Sequence, residues 1–195
     1  MKKILITGIS GQDGVFLTKF LLQKKPDVNV IGVSRSKSHK LFYKKLNYLG
    51  LFNHENIDIL NLNLEDYANV KNFISHHNPD IVYNLSGPSS VYESFTNNES
   101  KNSITKIFDN LTTALIETNN FPRFFQASSS EMFGVNENNL NENSSFNPNS
   151  PYAEAKLINH LRVKEIRENF DWPIYSGIMF NLSLIHISEP TRRKH

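Results

Sequence analysis

Tyr152 and Lys156 stand four residues apart in Ser150-Pro151-Tyr152-Ala153-Glu154-Ala155-Lys156. On a helix that spacing puts both side chains on one face, one turn apart. A tyrosine ordinarily titrates near 10, too high for a base at neutral pH. A neighbouring ammonium favours the phenolate and is expected to lower that value. Such a tyrosine can take a proton from a hydroxyl while a hydride leaves the carbon that bears it. Alone, the pattern also fits a solvated helix face. A second set lies upstream in Gln126-Ala127-Ser128-Ser129-Ser130-Glu131-Met132-Phe133-Gly134. Three hydroxyls there could cap or turn, and Glu131 could be a surface carboxylate. Beside a Tyr/Lys pair they make a compact acid–base set.

A hydride needs an acceptor, and the first fourteen residues offer a place for one. Gly8, Gly11 and Gly14 form G-x-x-G-x-x-G in Thr7-Gly8-Ile9-Ser10-Gly11-Gln12-Asp13-Gly14. Ile4-Leu5-Ile6 precedes it as a strand, and Val15, Leu17, Phe20, Leu21 and Leu22 follow at helical spacing. In a strand–turn–helix unit the first glycine allows the tight turn and the second lets the backbone approach a pyrophosphate. The third lets helix pack on strand. The helix N-terminus then offers free N–H groups and the positive end of its dipole to the phosphates. The expected ligand is a dinucleotide, whose nicotinamide ring would further favour a Tyr152 phenolate.

These residues need a scaffold, and the rest of the chain supplies its pattern. Strands are expected at Val28–Val33, Ile57–Leu62, Asp80–Leu85, Arg123–Ala127 and Ile174–Met179. Helical or ordered segments lie between them at Leu41–Leu49, Glu65–Ser75, Ser100–Thr118 and from Ser150 to about Asn169. Gly134–Asn149, rich in asparagine, reads as a surface loop. Six strands alternating with helices give an α/β fold, a right-handed, doubly wound parallel sheet. In such a sheet ligands sit at the carboxyl ends of the strands, where both chemical sets fall.

Composition excludes several classes. A hydrophobic content of 38% and a charged content of 21% describe a soluble globular chain. No apolar run approaches the length of a membrane span, and the N-terminus runs straight into a strand, so a cytoplasmic protein without a signal peptide is expected. With no cysteine there is no disulfide, thiolate metal site or cysteine nucleophile. The histidines are scattered, and His76-His77 reads as a helix-end pair; no metal is expected. The formal charge is +2 without a basic stripe, so nucleic acid is not suggested. Residues 182–195 break the pattern after Phe180-Asn181 and resemble translated adapter sequence. They are expected to be a non-native tail, against the alternative of a seventh element. They hold Arg192, Arg193, Lys194 and Glu189, and without them the chain is neutral.

Taken together, residues 1–181 resemble the extended short-chain dehydrogenase/reductases, and within them the GDP-mannose 4,6-dehydratase family. The resemblance rests on Ile6 to Gly14 with its Gln12-Asp13 pair, on Tyr83-Asn84-Leu85, Ser89 and Ser94-Phe95, on Gln126 to Gly134, on Ser150 to Lys156, and on Gly177 to Asn181. It implies an NAD(P)-binding Rossmann domain whose C-terminal substrate domain is missing from the chain. It implies that Tyr152 deprotonates the hydroxyl on sugar carbon 4 as hydride passes to the cofactor. Glu131 then removes the carbon 5 proton and assists loss of the carbon 6 hydroxyl as water, and the hydride returns to carbon 6. Ser129 stands where the family usually has threonine and bonds the same oxygen as Tyr152. Lys156 lowers the Tyr152 pKa and holds the cofactor ribose. The cofactor positions are Gly8, Gly11, Gln12, Asp13, Gly14, Arg35, Ser36, Asn63, Leu64, Leu85, Ser86, Gly87 and Ser89, with Tyr152 and Lys156. Three places depart from the family. Asn63-Leu64 replaces Asp-Leu, Gly87-Pro88 replaces Ala-Gln, and Leu182 replaces a histidine.

The end of the second strand selects the cofactor. NAD enzymes usually place Asp or Glu there to bond the ribose hydroxyls. Here it reads Val33-Ser34-Arg35-Ser36, and Arg35 can pair bidentately with a 2′-phosphate while Ser36 adds a hydrogen bond. NADP is therefore expected over NAD, with a solvated basic turn as the alternative. The resemblance also implies a GDP-mannose substrate and a homo-oligomer in which the Ser34–Lys45 segment, with Lys37, Lys40, Lys44 and Lys45, reaches a neighbour. A sugar epimerase or reductase of the same fold, and a cofactor-binding protein without catalysis, are the competing readings. Glu131 argues against the first, since epimerases of the superfamily usually carry a small or apolar residue there. The Tyr152, Lys156 and Glu131 set argues against the second.

Overall fold

The structure, a computed structural model, describes residues 1–35, 40–88, 92, 95, 99–135, 140, 141 and 143–180. Its strands are β1 (Lys2–Thr7), β2 (Val28–Ser34), β3 (Ile57–Asn61), β4 (Ile81–Asn84), β5 (Arg123–Ala127) and β6 (Ile174–Gly177). Among the described residues its helices are α1 (Gln12–Lys24), α2 (Lys40–Tyr48), α3 (Tyr67–His77), α4 (Glu99–Glu117) and α5 (Pro151–Phe170), with a 3-10 turn at Ser130–Phe133. The strands form one parallel sheet in the order β3-β2-β1-β4-β5-β6. The order reverses between β1 and β4, so their carboxyl ends open a crevice. The doubly wound α/β fold is the one read from the sequence.

The sheet is covered on both faces at its centre, which explains why Ile4-Leu5-Ile6 of β1 and Val30-Ile31-Gly32-Val33 of β2 are continuous buried runs rather than alternating ones. Ile4, Ile6 and Val30 join Val15, Leu21 and Leu22 of α1 and Phe42 and Leu46 of α2 in one cluster. Leu5, Ile31 and Val33 point the other way, into a cluster with Val70 and Ile74 of α3, Phe108 and Leu111 of α4, and Val163 of α5. Trp172 closes that second cluster and donates its indole N–H to the Pro122 carbonyl at 2.5 Å.

Caps account for the small shifts in element ends. Helix α3 begins at Tyr67 because Asp66 caps it, accepting from Asn69 N at 3.2 Å. It ends at Asn78, which takes the left-handed conformation at φ 45°. His76 and His77 fall in its last turn. Helix α5 has Ser150 as its N-cap, accepting from Ala153 N at 3.1 Å, with Pro151 first in the helix. Strand β6 stops at Gly177, though Met179 O still accepts from Ser130 N at 2.9 Å. The asparagine-rich stretch is more than a surface loop where it is described. Asn147 N donates to Met132 O at 3.0 Å, and the Phe146 ring stacks on Phe133 at 5.2 Å, folding the segment back onto the 3-10 turn. Residues 182–195, the expected tail, lie outside the described residues.

The glycine turn shows why two of its positions admit no side chain. Gly8 has φ +70°, and a β-carbon there would stand 2.8 Å from Leu85 O. A β-carbon on Gly14 would stand 2.7 Å from both Gly8 O and Ile9 Cα. Those neighbours are backbone and cannot swing aside. Alanine gains about 1 kcal/mol of helix propensity over glycine, but overpacking against fixed backbone costs about 1–3 kcal/mol. Gly14→Ala is therefore expected to lose up to about 2 kcal/mol of stability in urea unfolding, where an exposed helical glycine would gain.

Candidate active site

The carboxyl ends of β1, β2 and β4 enclose a cavity of about 400 Å³. Gly8, Gly11, Gln12, Asp13 and Gly14 form its floor. Arg35 lines it past the end of β2, Asn63 and Leu64 past β3, and Leu85, Ser86 and Gly87 past β4. All of these were singled out from the sequence. Ser36 and Ser89, assigned with them, lie outside the described residues. The sequence reading missed Ser10, Val33, Ser34, Leu62 and Ile107, which also line the cavity. Ile107 comes from α4 and carries no local motif, and Ser10 and Ser34 meet through their hydroxyls at 3.2 Å.

The cavity fits a dinucleotide. Gly11 caps α1 without a side-chain bond to the helix, so the first N–H groups of α1 have no side-chain cap. The glycine cradle leaves room where a β-carbon would clash. Asp13 is the one carboxylate among the described residues lining the cavity, and Arg35 is exposed beside it.

The acid–base set gathers where β5 ends. Ser129 caps the 3-10 turn, accepting from Glu131 N at 3.2 Å, and this holds Glu131 beside it. Tyr152, in the first turn of α5, is hydrogen-bonded to Ser129. Lys156 follows one turn later and is 7% exposed. Its Nζ donates to Ala127 O at 3.0 Å and lies 5.6 Å from the centroid of the Tyr152 ring. The structure thus brings Ser129, Glu131, Tyr152 and Lys156 together at one strand end.

The electrostatics correct one expectation. Tyr152 is not lowered by its lysine neighbour but raised above 10. Burial is the main cause, the hydrogen bond from Ser129 opposes it, and the negative charge of Glu131 adds to it. Lys156 itself is pushed down to about 8 by burial. Near pH 7 the pair therefore holds a neutral phenol and a weakly held ammonium proton. The described residues hold no group of three or more His, Asp or Glu able to take a metal, and no helix long and apolar enough to cross a membrane.

Residues 5–194 match the family model of GDP-mannose 4,6 dehydratase. The chain belongs to this family. A GDP-mannose 4,6-dehydratase of Vibrio cholerae serotype O1 is 36% identical, covering 92% of this chain and 49% of its own. GDP-mannose 4,6 dehydratase 1 of Arabidopsis thaliana is 32% identical, covering 92% of this chain and 52% of its own. The chain spans about half the length of the curated relatives it matches. Among solved structures, the UDP-Glc/GlcNAc 4-epimerase of Campylobacter jejuni superposes with a TM-score of 0.79 at 19% identity, over 100% of this chain and 58% of that one. The dTDP-glucose 4,6-dehydratase of Bacillus anthracis, solved in complex with NAD, gives 0.75 at 16% identity, over 90% and 54%. At those identities the structures establish the fold alone. Epimerases and dehydratases share it, so function must come from the site.

Proposed function

We propose that the chain is the cofactor-binding part of a nucleotide-sugar 4,6-dehydratase that acts on GDP-mannose with NADP. The carrying observation is that Ser129, Glu131, Tyr152 and Lys156 meet at the end of β5, the family's chemistry in one place. Bound NADP supplies the storage of one hydride, taken from sugar carbon 4 and returned to carbon 6. Tyr152 takes the proton of the carbon 4 hydroxyl, and Ser129 bonds the same oxygen and orients it. The Lys156 ammonium stabilises the phenolate formed at that moment and holds the cofactor ribose. Glu131 draws the proton from carbon 5, which the new ketone has acidified, and passes it to the departing carbon 6 hydroxyl, which leaves as water. As the hydride returns to carbon 6, carbon 5 takes up a proton that balances the one Tyr152 removed, so both groups end as they began. The raised resting pKa of Tyr152 means that its phenolate forms only once the ligands add positive charge and hydrogen bonds.

The sugar nucleotide is held by the second half that the relatives possess. A homo-oligomer is proposed for the complete protein. Lys40 and Lys44, exposed on α2, are available to a neighbour, and Lys37 lies outside the described residues. A cytoplasmic location is part of the same proposal, and no helix among the described residues is long and apolar enough to cross a membrane. An epimerase would neither need Glu131 nor yield a 4-keto-6-deoxy sugar, so product analysis on a chain completed with a family C-terminal half separates the two.

The choice of NADP rests on Arg35 past the end of β2. A charge-assisted bidentate pair with a 2′-phosphate contributes about 1.5–3 kcal/mol. Arg35→Ala is therefore expected to weaken NADPH binding about 10- to 100-fold in calorimetry and to leave NADH binding nearly unchanged. Equal losses for both cofactors, or tighter NADH binding by the parent chain, would overturn this choice.

A further inference from the structure

A chain of buried polar side chains crosses the carboxyl ends of β1, β4 and β5. Thr7 Oγ1 lies 2.6 Å from Asn84 Oδ1, which also accepts from Ser86 Oγ at 2.7 Å. Asn84 Nδ2 donates to Gln126 Oε1 at 2.7 Å, and Gln126 Nε2 donates to Ala127 O at 3.1 Å. That same carbonyl receives Lys156 Nζ at 3.0 Å. Thr7, Asn84 and Gln126 are at most 2% exposed. Both amides are used at both ends, and their donors all run toward Ala127.

Apolar side chains would fill these strand positions without the cost of desolvating amides. A fully satisfied buried network instead holds its members in one geometry. What it holds is a lysine, whose four-carbon stem is otherwise free to sample many rotamers. We propose that Gln126 is a positioning residue for Lys156. It fixes the Ala127 carbonyl on which the ammonium rests and, through Asn84, ties that lysine to Thr7 and Ser86, which flank the glycine turn. Occupancy of the cavity and placement of the lysine are thereby linked through β4 and β5. The inference rests on the dinucleotide reading for its ligand, but the hydrogen bonds do not depend on that reading.

A double-mutant cycle on the present chain tests it, with NADPH or NADH as probe, whichever the parent binds more tightly. Gln126→Met keeps the length of the side chain and removes its donors and acceptor. It is expected to weaken cofactor binding about tenfold in the parent and less than twofold in a Lys156→Met background, since it acts through that lysine. Equal losses in the two backgrounds, or no loss in the parent, would overturn the proposal and leave a purely structural network. Gln126→Glu serves as a second variant, and its readout needs no cofactor. The rate at which an amine-directed reagent labels Lys156 is followed against pH by peptide mapping. A carboxylate at that position is expected to move the midpoint upward by at least one pH unit. An unmoved midpoint would count against the lysine resting on the carbonyl that Gln126 also bonds. Failure of the parent to bind either cofactor would sink the functional reading, while the labelling experiment would still decide the role of Gln126.

Discussion

In an enzyme completed with a family C-terminal half, Glu131→Gln is expected to oxidise its substrate and then stall. Tyr152, Ser129 and Lys156 remain to run the first step, so the absorbance of reduced nicotinamide should rise after mixing with GDP-mannose. Glu131 acts on the next carbon, and glutamine can neither accept the carbon 5 proton nor protonate the leaving hydroxyl. Positioned acid–base groups typically contribute 10²- to 10⁴-fold, so formation of the 4-keto-6-deoxy product should fall by about that factor. Tyr152→Phe is the control and should abolish the absorbance change itself. Product formation by Glu131→Gln near the parent rate would remove the main support for a dehydratase over an epimerase. The geometry favours this separation of roles. Glu131 is held by the Ser129 cap on a 3-10 turn, while Tyr152 and Lys156 stand on α5, a separate element.

The parts of this site that depend on local pattern were legible in the sequence. Gly8 and Gly14 announce themselves because a β-carbon at either meets backbone at less than 3 Å. Tyr152 and Lys156 share a helix face because Ser150 and Pro151 set where α5 begins. The six strands were legible because an apolar parallel strand bounded by turn residues has few other readings. What escaped is how such residues meet. Asn84 and Gln126 figured in the sequence only as parts of the matching stretches Tyr83-Asn84-Leu85 and Gln126 to Gly134, and only the register places them side by side, Asn84 opposite Gln126. Ile107 lines the cavity only because α4 crosses behind β4. The Tyr152 shift was misread because the sequence displays the lysine four residues on and hides the burial. In this fold burial of the phenol raises its pKa, the Ser129 hydrogen bond opposes the rise, and the charge of Glu131 adds to it.

That burial makes Lys156 a cost to the fold when no cofactor is bound. Its pKa stands at about 8 in the folded chain, against 10.5 for a free lysine. The unfolded chain therefore holds more protons between those values, and stability rises with pH through that window. A shift of this size corresponds to about 3 kcal/mol. At pH 7 the folded chain carries the whole of that penalty. Lys156→Met removes it, fills a similar volume, and leaves Ala127 O with its bond from Gln126 Nε2. Allowing about 1.5–3 kcal/mol for the lost charged hydrogen bond to Ala127 O, the variant should gain up to about 1.5 kcal/mol. For a chain of this size that is at most roughly 3–6 °C in Tm. The same variant should bind NADPH about 10- to 100-fold more weakly, since a charged hydrogen bond to the ribose is worth about 1.5–3 kcal/mol. The two effects oppose each other, so the gain in Tm should shrink or reverse as NADPH is added. Thermal unfolding from pH 7 to 10, with and without NADPH, reads both. The parent should approach the variant's stability as pH rises through 8 to 10. A variant less stable than the parent at pH 7 would mean that the lysine stabilises the empty fold, and the raised cost of its buried charge would have to be abandoned.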